Sequence, residues 1–96
     1  MQPYIFKDSL GRNRLRITVL QEDIDRASHY DPIRNCIVAT ALKRKYGHNI
    51  SCGFNTLQIN GQHFGIPTEG SEKILDWTHH LPVDPFTFDA FAINFD

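Results

Sequence analysis

Thr56-Leu57-Gln58-Ile59-Asn60-Gly61-Gln62-His63-Phe64-Gly65-Ile66 is the stretch that decides the fold. Two alternating apolar and polar runs flank Asn60-Gly61, a pair that accepts positive φ at both central positions of a type I′ turn. A two-residue turn sets Ile59 against Gln62, Gln58 against His63 and Leu57 against Phe64. Leu57, Ile59, Phe64 and Ile66 then share one face, with Gln58 and His63 on the other, so pattern and turn agree on an antiparallel hairpin. Just upstream, Ile50 to Phe54 also reads as strand. Its inward positions change parity near Asn55, which predicts a bulge or a bend there.

Moving outward, residues 14 to 20, Arg-Leu-Arg-Ile-Thr-Val-Leu, alternate as a half-buried strand with Leu15, Ile17 and Val19 inward. Tyr4, Ile5 and Phe6 form a strand before it, turned by Asp8-Ser9-Leu10-Gly11. Phe86 to Phe95 is the last strand, with a parity switch near Asp89-Ala90. Its phenylalanines fall on both faces, which marks a central strand or an interface strand through which a homodimer would form. Between the strands, Gln21 to Ala27 reads as a short helix with acids at its positive end. Asp31-Pro32 opens the main helix, which runs through the uncharged stretch Cys36 to Leu42 and the basic Lys43-Arg44-Lys45 to Gly47. Ser71 caps a third helix through about His80, stopped by Pro82 and Pro85. The expected fold is therefore a single α+β domain over residues 1–96: a small antiparallel or mixed sheet with about three helices packed on one face.

Composition narrows the function classes. Apolar residues make up 41% and charged residues 22%, the balance of an ordinary globular protein with a core of its own. A formal net charge of −1 argues against both a strongly basic nucleic-acid binder and an acidic DNA mimic, so nucleic acid is the weaker partner expectation. No apolar run approaches the roughly 20 residues of a membrane span, and the first residues lack a signal-peptide layout, so a cytoplasmic protein without a membrane partner is expected.

Arg12, Arg14 and Arg16 are the candidate binding residues. In a strand they stand on one face roughly 7 Å apart, opposite Leu15 and Ile17, where three guanidiniums suit phosphates or a partner's carboxylates. The competing reading pairs them with acids on neighbouring strands. Cys36 and Cys52 are read as free buried thiols, with a redox pair as the sharper alternative if their Cα atoms lie within about 7 Å. His48 and Cys52 have the only spacing suggestive of zinc, but Cys36 and His63 point elsewhere, so no metal or other cofactor is expected. Cys36 beside His29 or His48 is the one nucleophile candidate. It lies more than one turn beyond the Asp31 cap, so little activation by the helix is expected. No catalytic residues are assigned, because no nucleotide-binding, hydrolase or metalloprotease motif occurs.

Ile17 to Asp25, Asn35 to Leu42 and Leu81 to Phe88, taken in that order, resemble small uncharacterised proteins encoded by bacteriophages and mobile elements of bacteria. The resemblance spans most of residues 14 to 88 and rests on structural motifs. It implies a phage-type origin and lends no activity to any position. With the small size and the arginine row, it leads to the expectation of a non-enzymatic protein that binds and inhibits a bacterial host protein complex, such as a defence system, in the manner of anti-CRISPR proteins. The alternative is a small module for a nucleotide, another anionic ligand or nucleic acid.

Overall fold

The computed structural model describes residues 5–47 and 49–93. In chain order they form β1 (Phe6–Lys7), β2 (Asn13–Val19), α1 (Gln21–Arg26), α2 (Pro32–Asn35), α3 (Ile37–Tyr46), β3 (Ile50–Cys52), β4 (Thr56–Ile59), β5 (Gln62–Gly65), α4 (Thr68–Thr78) and β6 (Phe86–Ile93). The strands make one six-stranded sheet in the order β1-β2-β6-β5-β4-β3, and every neighbouring pair is antiparallel. The fold is thus α+β with a wholly antiparallel sheet. No helix among the described residues is long and apolar enough to cross a membrane.

The hairpin forms in the expected register, Leu57 opposite Phe64, Gln58 opposite His63 and Ile59 opposite Gln62. Asn60 and Gly61 both take positive φ, 49° and 88°, as a type I′ turn requires. The parity change near Asn55 is a full reversal, more than a bulge or bend. Gly53, Phe54 and Asn55 turn the chain between β3 and β4, and the Gly53 amide donates to the Thr56 carbonyl at 2.9 Å. The last strand keeps one parity throughout, contrary to the switch expected at Asp89-Ala90. Phe86, Phe88, Ala90 and Ala92 face inward and Phe91 faces outward. Phe91 is accommodated there because Gly65, its partner on β5, has no side chain: a Cβ on Gly65 would run into the Phe91 ring. Since β2 and β5 occupy both edges of β6, this strand offers no free edge to a second copy. Phe95 and Tyr4 lie outside the described residues.

The inner face of the sheet is the core. Leu15, Ile17, Val19, Ile50, Leu57, Ile59, Phe64, Phe88 and Ala90 are buried there, against Ile37, Val38, Ala41 and Leu42 of α3 and Ile74 and Trp77 of α4. α4 begins one turn earlier than the Ser71 cap predicts, with Pro67 at its N-cap. Thr68-Glu69-Gly70 precede the expected cap, yet they are helical, and Gly70 is the residue that lets the helix approach the sheet. A Cβ there would lie 2.9 Å from Ile66 Cγ2 and 3.1 Å from Phe88 Cδ2. Ser71 Oγ instead donates to the Phe54 carbonyl at 2.6 Å, tying α4 to the β3–β4 turn.

The helix expected from Asp31 to Gly47 is two helices broken at Cys36, whose backbone is extended at φ −67° and ψ 172°. Asn35 explains the break. Its side-chain amide donates to the Tyr30 and Asp31 carbonyls, its Oδ1 accepts from Lys43 Nζ, and its own carbonyl accepts the Ser28 amide. Side-chain bonds of this kind compete with the helical ladder. The chain restarts as α3, whose buried run matches the uncharged stretch read from the sequence.

Candidate functional site

Arg14 and Arg16 stand on β2 with their side chains on the outer face of the sheet, while Arg12 precedes the strand and lies in the β1–β2 connection. The expected row is therefore two strand residues and one turn residue. Asp8 organises the turn. Its Oδ1 accepts the Leu10 and Arg12 amides, each at 2.9 Å, and its Oδ2 accepts Arg12 Nε at 2.8 Å. Chiefly because of the Arg12 amide, the Asp8 carboxyl sits below its usual range. Arg14 is held by the Asp89 carbonyl at 2.9 Å and lies 3.6 Å from Asp8, with its Nε buried and without a partner among the described residues. Arg16 forks onto Asp89 at 2.9 and 3.3 Å and lies 5.4 Å over the Phe6 ring.

The pairing of these arginines with neighbouring acids is thus what the geometry shows. Three guanidiniums share two carboxylates, Asp8 and Asp89, leaving one positive charge in surplus. Arg12 and Arg16 are the solvent-facing pair, with side chains 59% and 64% exposed against 17% for Arg14. Around them the outer face carries Thr18 hydrogen-bonded to Thr87 at 3.2 Å, the half-exposed Phe91 ring and the exposed His63. A groove of about 510 Å³ runs beside this face, bounded by Arg12, Arg14, Pro67 and Phe91.

A second cluster lies on the opposite side of the sheet. Cys36 is the N-cap of α3, and its Sγ accepts the Ala39 amide at 3.4 Å. This overturns the expectation that the thiol lies too far along a helix to feel its positive end, because the break at Asn35 makes Cys36 a helix start. Cys52, on the inner face of β3, lines the same place, and its S–H donates to the Gly53 carbonyl at 3.3 Å. The neighbouring Cys52 thiol, helped by the Ala39 and Val38 amides, outweighs burial and lowers the Cys36 pKa. Cys36 and burial in turn push the Cys52 thiol up. The two thiols line an apolar pocket of about 80 Å³ together with Pro32, Ile33, Gly53, Phe54, Ile74 and Thr78.

The other residues weighed as ligands or bases are placed elsewhere. His29 stacks on Trp77 with ring centroids 3.9 Å apart, and its Nε2 bonds the Trp77 carbonyl at 2.9 Å. His63 faces outward on β5, across the sheet from Cys52, and His48 lies outside the described residues. Among the described residues no three His, Cys, Asp or Glu side chains gather as a metal site. Asp23, which the sequence presents as an ordinary helix-start acid, is buried against Arg44 at 2.8 and 2.9 Å. No family model, no curated protein and no solved structure matches the chain.

Proposed function

We propose that this protein works without catalysis, by docking the helix-free face of its sheet onto a protein partner. The observation that carries this reading is the face itself: β2, β6 and β5 present Arg16, the Thr18–Thr87 pair, Phe91 and His63 with no helix over them. Mixed charge around an exposed aromatic suits a protein surface, where Arg and aromatic side chains supply most of the binding energy. A stable contact needs about 800 Å² from each side, and the chain has 5899 Å² of accessible surface. The resemblance to phage and mobile-element proteins supports a bacterial host complex, such as a defence system, as the partner, met in the host cytoplasm.

Capture from nuclease-treated bacterial lysate tests this with the two solvent-facing arginines. Wild type is expected to retain a stoichiometric protein that the Arg12→Glu/Arg16→Glu double variant, shown to be folded by circular dichroism, does not retain. Equal capture by the variant would remove the sheet face from consideration, and capture that disappears with nuclease would point to nucleic acid.

The groove beside Arg12 and Arg14 favours a second reading, a nucleotide or another small anion. Its volume of about 510 Å³ falls within the range of ligand sites, roughly 300–1,000 Å³. Asp8 and Asp89 already engage the guanidiniums that would bind the anion, which ranks this reading second. Thermal unfolding against a nucleotide panel separates the two. A concentration-dependent rise in melting temperature, abolished by Arg12→Glu, would assign the groove to a ligand, and a flat response would reject it.

A further inference from the structure

We infer that Cys36 and Cys52 form an oxidisable dithiol, in which Cys36 attacks a small hydroperoxide admitted through the apolar pocket and Cys52 resolves the product to a disulfide.

Three features converge on this assignment. The first is the helix break, which turns Cys36 from a mid-helix residue into the cap of a ten-residue helix. Its sulfur accepts an amide of the first turn, where the helix end favours an anion. The second is the partner thiol. Cys52 sits on β3, an outer strand of the sheet, and lines the same small pocket as Cys36, so nucleophile and resolving thiol face one space. The third is access. Both sulfurs are buried, at 2% and 3% residue exposure, yet they border a pocket whose rim residues Ile33 and Phe54 are 57% and 45% exposed.

The pocket also selects the oxidant. About 80 Å³ accommodates two or three water-sized molecules at roughly 30 Å³ each, enough for hydrogen peroxide or a short alkyl hydroperoxide. The other lining residues carry no charge, and the Thr78 hydroxyl is spent on the Ile74 carbonyl at 2.8 Å. A neutral peroxide enters such a site without leaving a charge unsolvated, whereas an anionic disulfide such as oxidised glutathione does not.

The chemistry balances with the hydroperoxide as the only co-reactant. The Cys36 thiolate attacks one peroxide oxygen and the O–O bond breaks. Cys36 becomes a sulfenic acid, and the departing hydroxide or alkoxide takes a proton to leave as water or alcohol. The Cys52 sulfur then gives up its proton and attacks Cys36, and the sulfenic hydroxyl leaves as water. Two thiols have lost two electrons, and the peroxide has been reduced by the same two.

The test treats the folded protein with hydrogen peroxide and reads it by intact mass after alkylation in denaturant. Wild type is expected to lose two hydrogens and both alkylation sites together while remaining monomeric on a non-reducing gel. Cys52→Ala should stop at a Cys36 sulfenic acid, gaining one oxygen and labelling with dimedone, whereas Cys36→Ala should leave Cys52 unreacted. Circular dichroism checks that each variant is folded, and the wild-type arm stands without them. The proposal fails if both wild-type thiols remain alkylatable, if the product is an intermolecular dimer, or if dimedone labels Cys52 in place of Cys36. None of these outcomes depends on the sheet face, so this site and the docking reading stand or fall separately.

Discussion

Arg44→Ala is expected to lower the unfolding free energy by about 3 kcal/mol, a large share of the stability of so small a domain. The reason lies in what the substitution leaves behind. Asp23 is 1% exposed and sits in the first turn of α1, where its Oδ2 accepts the Leu20 amide at 2.8 Å. Arg44, near the end of α3, grips both oxygens and donates to the Thr18 carbonyl at 3.3 Å, so one guanidinium joins β2, α1 and α3. Without it the carboxylate stays buried with little compensation, which costs more than losing a surface pair. Asp23→Ala should cost less, about 2 kcal/mol, because the Arg44 side chain is 34% exposed and its head can turn into water. The pH dependence follows from the Asp23 pKa. Burial raises it, but the Arg44 hydrogen bonds, the Leu20 amide and the charges of Arg44 and Arg26 outweigh that, and the net shift is downward. A carboxyl with a lowered folded pKa contributes stability that is fully present above its unfolded value, about 4, and is lost as pH falls through the folded value. Urea unfolding of wild type and Asp23→Asn should therefore show a gap at pH 7 that closes in acid below about pH 4. A gap of constant size from neutral pH to acid would refute the assignment.

The parts of this fold that were legible in sequence are those set by local pattern. Asn60-Gly61 fixes a turn, the turn fixes the register of Leu57 with Phe64, and alternation in residues 14 to 20 fixes the inward face of β2. The features that were not legible depend on contacts between distant residues. Asp31-Pro32 followed by an apolar run is a sound helix signal, and nothing within it shows that Asn35 will instead bond Tyr30, Ser28 and Lys43. That single break makes Cys36 a cap. Phe91 gave the impression of a parity switch because a phenylalanine on a solvent face is hard to credit without knowing that Gly65 lies beside it. The arginine row was visible as an alternation, but its acids, Asp8 and Asp89, come from a turn and from a strand more than seventy residues away. In sequence Arg44 is one of three basic residues at the end of the main helix, where the negative end of the helix already accounts for them. Only the packing of α1 on α3 reveals its partner.

Phe64→Ala is expected to cost about 4 kcal/mol, the largest loss from any single truncation considered for this chain. Phe64 is fully buried, at 0% exposure, on β5 between Leu57 of β4 and Ala92 of β6. The cost of removing a core side chain depends on whether its surroundings can collapse into the space. Here they cannot do so easily. Its neighbour on β6 is alanine, Ala90 lies one inward position further along the same strand, and Phe64 itself pairs with Leu57 on one side and Ala92 on the other, so the backbone at the site is held by ladders on both sides. Phe64→Leu should lose much less, about 1 kcal/mol, because it keeps most of the apolar volume. The register makes a stricter demand. If Phe64 and Ala92 share one packing site across the β5–β6 ladder, bulk restored on β6 should partly refill it. The double variant Phe64→Ala/Ala92→Leu is then expected to recover about 1 kcal/mol or more relative to Phe64→Ala, while Ala92→Leu alone overpacks the site and destabilises. Denaturant midpoints for the four proteins give the coupling directly. Strict additivity would mean that the two side chains do not fill a common space, and the inward pairing of β5 with β6 would be wrong.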